Sequence, residues 1–190
     1  MKNLPDKARS LNPALWRTCR VLGSPIRLAL LQAVLEAPGL NVSRLAAGLP
    51  VGISAVSQEL RRLQARGLLR RSRHGPAVVY LPVPDPQVPS AAPLLAALKA
   101  NLAGKNSDPA QAAALARGLG HEKRIELVRI LKTRGPCRAK ELATCLNTSL
   151  ANLSKHLRIL AAGGWLQTSG RQQALRPASS PLMRTLLEQL

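Results

Sequence analysis

The sequence carries one pattern twice. Val56, Ser57, Leu60, Arg61, Leu63, Ala65, Gly67 and Leu69 recur as Leu153, Ser154, Leu157, Arg158, Leu160, Ala162, Gly164 and Leu166, each 97 positions later. The same offset, without a gap, pairs Arg20, Leu22 and Gly23 with Arg117, Leu119 and Gly120. It also pairs Arg27 with Arg124, Leu30 with Leu127, and Leu45-Ala46 with Leu142-Ala143. A register unbroken over about fifty positions points to duplication of one supersecondary unit. A length of 190 residues allows one or two domains, and the repeat decides for two, at residues 1–104 and 105–190.

Each unit reads as helices followed by a hairpin. Val56, Leu60 and Leu63 make one apolar stripe of an amphipathic helix over about 53–66, with Ser57, Gln58, Arg61 and Arg62 on its other face. Gly67 suits a left-handed stop. The basic run Arg70-Arg71-Ser72-Arg73, a turn at His74-Gly75-Pro76 and the β-prone Val78-Val79-Tyr80 then make a hairpin over about 68–81. Before them, Asn12-Pro13 predicts a cap and a helix to Leu22. Ser24-Pro25 predicts a second helix with Ile26, Leu30 and Val34 as its stripe, and 43–49 a short third. Residues 1–12 read as a loose arm, and Trp16 as a packing residue. Five prolines make 81–93 extended and semi-rigid, ahead of a helix over 94–103. The second unit predicts helices at 109–118, 121–133, 138–145 and 150–162, the last capped by Ser149. A short wing, cut by Pro177, and a last helix at 181–190 follow.

The unit resembles the winged helix-turn-helix of the ArsR-like transcriptional regulators. Leu22-Gly23-Ser24-Pro25-Ile26-Arg27-Leu28 and Leu119-Gly120-His121-Glu122-Lys123-Arg124-Ile125 match the start of the second helix. Arg44-Leu45-Ala46 and Glu141-Leu142-Ala143 match the helix before the turn. Ser154-Lys155-His156-Leu157 and Gly164-Trp165-Leu166 match the reading helix and wing entry. The resemblance covers about 14–82 and 110–177. It implies a mainly α fold with small β-hairpin wings, in tandem. It also implies that the terminal helices, which pair two chains in ordinary members, pair here within one chain as a pseudo-dimer, with a homodimer of chains as the other possibility.

The resemblance places the reading helices in the major groove, where short polar and basic side chains meet base edges. In the second copy the candidates are Ser149, Ala151, Asn152, Ser154, Lys155 and His156, with Arg158 and the wing residue Arg171 on phosphate. In the first they are Ser54, Ala55, Ser57 and Gln58, with Arg61, Arg62 and the wing residues Arg70, Arg71, Arg73 and His74 on the backbone. Glu59 either accepts from cytosine N4 or repels phosphate. Charge agrees with these assignments: the formal net charge is +19. Residues 1–93 carry 13 Lys/Arg against 4 Asp/Glu and residues 94–190 carry 15 against 5, so both halves attract polyanions.

Other chemistries find little support. Family members that sense metals use a Cys-x-Cys pair whose positions here hold Asn41 and Ser43, and Arg138 and Lys140. Cys19, Cys137, Cys145 and three histidines do not supply converging ligands, so no metal and no cofactor is expected. No phosphate loop, nucleophile motif or carboxylate pair suggests an enzyme. No apolar run reaches the length of a membrane span, and the N-terminus has no signal region, which fits a cytoplasmic, nucleoid-associated protein. The sequence therefore predicts a sequence-specific double-stranded DNA-binding transcriptional regulator, a repressor in the favoured form, reading two dissimilar half-sites. The alternative is a nucleic-acid-binding architectural or protein-interaction module without sequence choice.

Overall fold

The computed structural model describes residues 14–75, 77–103 and 107–190. The expected arm over 1–12, the Asn12-Pro13 cap, Pro76 and the 104–106 link lie outside the described residues. The first half runs α1 (Leu15–Leu22), α2 (Pro25–Glu36), α3 (Val42–Ala47), α4 (Ile53–Gln64), β1 (Arg70–His74), β2 (Ala77–Leu81) and α5 (Ala91–Leu102). The second runs α6 (Pro109–Gly118), α7 (Glu122–Arg134), β3 (Cys137–Arg138), α8 (Ala139–Cys145), α9 (Leu150–Ala162), β4 (Leu166–Ser169), β5 (Gln172–Leu175) and α10 (Pro181–Glu188). This is a mainly helical chain with two small antiparallel hairpins, an architecture consistent with two winged helix-turn-helix units.

The halves repeat in detail. Gly67 and Gly164 both take positive φ (+72° and +78°), which lets the chain reverse after α4 and α9 without a Cβ penalty. Each hairpin gains a third edge from the segment before the turn helix. Asn41 bridges Val79, and 97 positions on, β3 pairs with β5 at Arg138 and Gln172. Arg27 donates to the carbonyls of Arg20 and Val21. Its counterpart Arg124 donates to those of Arg117 (3.1 Å) and Gly118 (2.6 Å). In each half one guanidinium thus satisfies the carbonyls left open at the end of the first helix.

Two expectations are corrected. Ile26 does not lie on the buried stripe of α2: it is 38% exposed, while Leu28, Leu30, Leu31 and Val34 are buried. The helix buries two faces because α4 covers one and α6 another. The proline segment is also not a spacer followed by a helix at 94. Asp85 N–H donates to the Gly67 carbonyl (2.8 Å), Val88 is buried, and α5 already begins at Ala91. Pro93 sits in its first turn, where a missing N–H forfeits no helical bond.

The halves meet through α5 against α10, and α6 against α1 and α2. Arg117 Nε and Nη2 donate to the Gly23 carbonyl (3.1 and 3.0 Å). A Cβ on Gly23 would come within 3.1 Å of the Arg117 backbone, and one on Gly120 within 3.3 Å of the Arg20 backbone. Half-buried Trp16 lines a cleft with Glu122, Lys123 and Ile125 of α7, so it packs between the halves. The terminal helices are capped alike: Gln32 donates to the Leu102 carbonyl (3.4 Å), and its register mate Arg129 to that of Leu190 (3.2 Å).

One packing pair differs. Trp165 is fully buried, with its indole N–H on the Leu115 carbonyl (2.8 Å). Its ring occupies the space of a Gly118 side chain, since a Cβ there would lie 2.4 Å from the ring. The register places Val21 and Leu68 at these positions in the first half, exchanging the small and large partners. Gly118→Ala is therefore expected to destabilise by about 1–3 kcal/mol, the range for overpacking. Gly48→Ala, which meets nothing within 4 Å, should stay within about 1 kcal/mol of the parent. Urea titrations of the two variants check this; equal midpoints would show that the Trp165 pocket yields freely.

Candidate nucleic-acid interface

Local chemistry sets each bend between the turn helix and the helix after it. Asn41 caps α3 by accepting from the Arg44 N–H (2.9 Å), and Pro50-Val51-Gly52 turns into α4. The Glu141 carboxylate accepts from the Arg138 N–H (2.9 Å) at the start of α8. Asn147 turns the chain with φ +44°, a conformation asparagine tolerates better than most residues. Ser149 Oγ then accepts from the Asn152 N–H (3.3 Å) to cap α9. These bends leave one face of α4 and of α9 on the core and the other in solvent.

The core faces hold Val56, Leu60 and Leu63 on α4, and Leu153 and Leu160 on α9. On the outer face of α4, Ser54, Ala55, Gln58, Arg61 and Arg62 are exposed and Ser57 is half-buried. On α9, Ala151, Asn152, Ser154, Lys155 and Arg158 are exposed, as is Ser149 before it. The Ser154 hydroxyl donates to the Leu150 carbonyl (2.8 Å), so its lone pairs remain open to an external donor. Arg70, Arg71 and Arg73 are exposed on β1, and Arg171 is exposed in the turn between β4 and β5. The His74 side chain lies outside the described residues.

Among known families, a model described as a helix-turn-helix domain matches residues 119–164. Residues 119–164 are a helix-turn-helix domain. The match covers α7, α8 and α9. No curated protein and no solved structure matches the chain.

Within this domain His156 is placed differently from its neighbours. It is half-buried, its ring centroid 4.9 Å from that of His121 at the start of α7, and its Nδ1 is buried without a partner. Arg124, 8% exposed, lies beside the pair. The register mates of His121, Arg124 and His156 are Ser24, Arg27 and Glu59. There Glu59 forms ion pairs with Arg27 and Arg62. The carboxylate expected either to meet cytosine or to repel phosphate is thus already neutralised by two guanidinium groups. This pairing is not legible from spacing along the chain, because positions 27 and 59 meet only through the packing of α2 on α4. Arg66 was also missed: with Arg17, Arg20, Arg27 and Arg62 it lines a cleft of about 360 Å³, extending the positive field along α4 and α1.

The cysteines fall into three settings. Cys19 is buried in the first core, and burial pushes its thiol up to about 12, so it stays protonated. Cys137 donates weakly to the Gly135 carbonyl (3.4 Å), and exposed Cys145 accepts from Arg134 (3.2 Å). Among the described residues, no group of three or more Cys, His, Asp or Glu converges, and no single helix is long and apolar enough to cross a membrane.

The histidine pair gives the helix-turn-helix domain a pH dependence. Both rings are held below the ordinary 6.5, first by burial. His156 is lowered further by His121, Arg124 and Lys123. His121 is lowered by Arg124, Lys123 and Arg20 of the other half, against an opposing pull from Glu122. The unfolded chain therefore takes up protons first. This stability is present above about pH 6.5 and is lost as pH falls below it toward the folded values. Thermal midpoints between pH 8 and pH 5 should fall more steeply for the parent than for His156→Gln. Parallel curves would show that the pair does not titrate across folding.

Proposed function

We propose that this chain is a sequence-specific double-stranded DNA-binding transcriptional regulator built as a covalent pseudo-dimer. Its two units, residues 1–104 and 105–190, are read as copies of one ArsR-like winged helix-turn-helix. The observation that carries the reading is the pair of register-related helices, α4 and α9. Each holds an apolar face on its own core and turns polar and basic side chains to solvent, on a chain of net charge +19. An exposed face of this kind is suited to the major groove, with the neighbouring hairpin on phosphate or minor groove. Residues Ala151, Asn152, Ser154 and Lys155 are the base readers of the second unit: Asn pairs bidentately with adenine and Lys reaches guanine. Ser54, Ala55, Ser57 and Gln58 are their counterparts. Arg61, Arg62, Arg70, Arg71, Arg73, Arg158 and Arg171 serve phosphate, and Ser149 caps the second reader. His156 acts from beneath, by holding α9 on α7.

Pairing of α5 with α10 occupies within one chain the surface that the resemblance assigns to a second chain. Because the two reading faces differ, the bound DNA has two dissimilar half-sites, with centres about one helical turn, roughly 34 Å, apart. The difference extends to the wings: three exposed arginines on β1 against one arginine in the second hairpin. The first unit therefore leans on phosphate more than the second.

Selection of bound duplexes from a random pool tests the proposal. An asymmetric site is expected, bound about 10³-fold or more above random duplex. A ratio near one would instead favour an architectural module, and a perfect palindrome would favour a dimer of chains. With ~6–10 phosphate contacts, affinity should fall about 10³–10⁵-fold between 50 and 200 mM salt. Asn152→Ala and Lys155→Ala should relax base preference in one half-site. Arg71→Ala should weaken all sequences about equally.

A further inference from the structure

Two large apolar side chains stand in solvent at the same place in both halves. Among the described residues the exposed large hydrophobics are Ile26, Ile53 and Leu150. Ile53 is the first residue of α4 and is 55% exposed. Leu150 is the first residue of α9 and is 52% exposed. They are register mates, 97 positions apart. A single exposed isoleucine or leucine calls for no explanation. Their coincidence does, because the positions around them have diverged: Ser54 against Ala151, Ala55 against Asn152, Gln58 against Lys155 and Glu59 against His156. Neither is demanded by the fold, since each leaves about half its surface in water, and Val56 and Leu153 already anchor the first turn to the core.

We propose that Ile53 and Leu150 are specificity residues that contact thymine C5 methyl groups, one in each half-site. The inference rests on the reading of α4 and α9 as major-groove helices. At the N-terminus of such a helix, side chains meet base edges. Among the groups those edges present in the major groove, the thymine methyl is the apolar one. An aliphatic side chain there makes no hydrogen bond and would leave base donors and acceptors unpaired against any other edge. Against a thymine it buries the methyl and its own exposed surface together. The exposed Ala55 and Ala151, small enough to let the backbone approach, sit beside them on the same turn. Each half-site is therefore expected to hold a thymine under the first turn of its reading helix.

Deoxyuridine is the probe, because it removes only the methyl. The duplex selected from the random pool is resynthesised with each thymine replaced in turn, and the affinity of the full chain is measured. One thymine in each half-site should lose about fourfold, the worth of one buried methyl. In Leu150→Ala that loss should disappear in the second unit's half-site and remain in the other, and Ile53→Ala should show the converse. A flat scan with the wild-type chain, on a duplex it binds tightly and selectively, would overturn the methyl contact and leave the DNA-binding reading standing. Loss on deoxyuridine that both variants retain would also overturn it. Failure to select any duplex would remove the reading and this inference together.

Discussion

Everything outward-facing in this molecule depends on how closely the two halves approach at Gly23 and Gly120. A Cβ at either position would press on the other half's backbone more tightly than an ordinary contact, and Arg117 reaches across to the Gly23 carbonyl. With α1 and α6 held this way, Arg27 and Arg124 each tie the following helix to the end of the preceding one. A guanidinium suits this task because its fixed fork can serve two carbonyls at once and cannot lose its proton. The α5–α10 contact closes the same arrangement at its other end. The orientation of α4 relative to α9 runs through these contacts, because α4 packs on α1 and α2, and α9 on α6 and α7.

The halves use the same frame but differ in what surrounds it. In the first, the space beneath α4 holds a carboxylate between two arginines, so its negative charge is compensated locally. In the second it holds two rings that favour the neutral form beside a buried arginine. The second arrangement weakens as protons are added. The exchange of Val21 and Leu68 for Gly118 and Trp165 shows the same freedom in an apolar setting. A core at native density tolerates divergence when volume lost on one side is regained on the other.

Much of this architecture was legible in the residues. The 97-residue offset, the glycine stops at 67 and 164, the Ser149 cap and the outward faces of α4 and α9 follow from spacing and backbone chemistry. These signals lie within a few residues of each other, so they survive without knowledge of the fold. What was misread involved contacts between distant segments. Ile26 looked like core because a fourfold stripe assumes one buried face, whereas α2 is covered on two. The proline segment looked like a spacer because its composition does not reveal that Val88 is buried beside Gly67. That His156 rests against His121 is likewise not visible from its helix position.

Local periodicity and the repeat thus determined by themselves which helices and hairpins form, in what order, and which side of α4 and of α9 is apolar. Tertiary structure alone decided which charged side chains are already paired and which face solvent, and how the halves are joined. The physical reason is range. Helix caps, glycine stops and amphipathic stripes are set by neighbours along the chain. An ion pair such as Arg27–Glu59, a ring contact such as His121–His156 or a glycine crossing exists only where packing brings distant residues together.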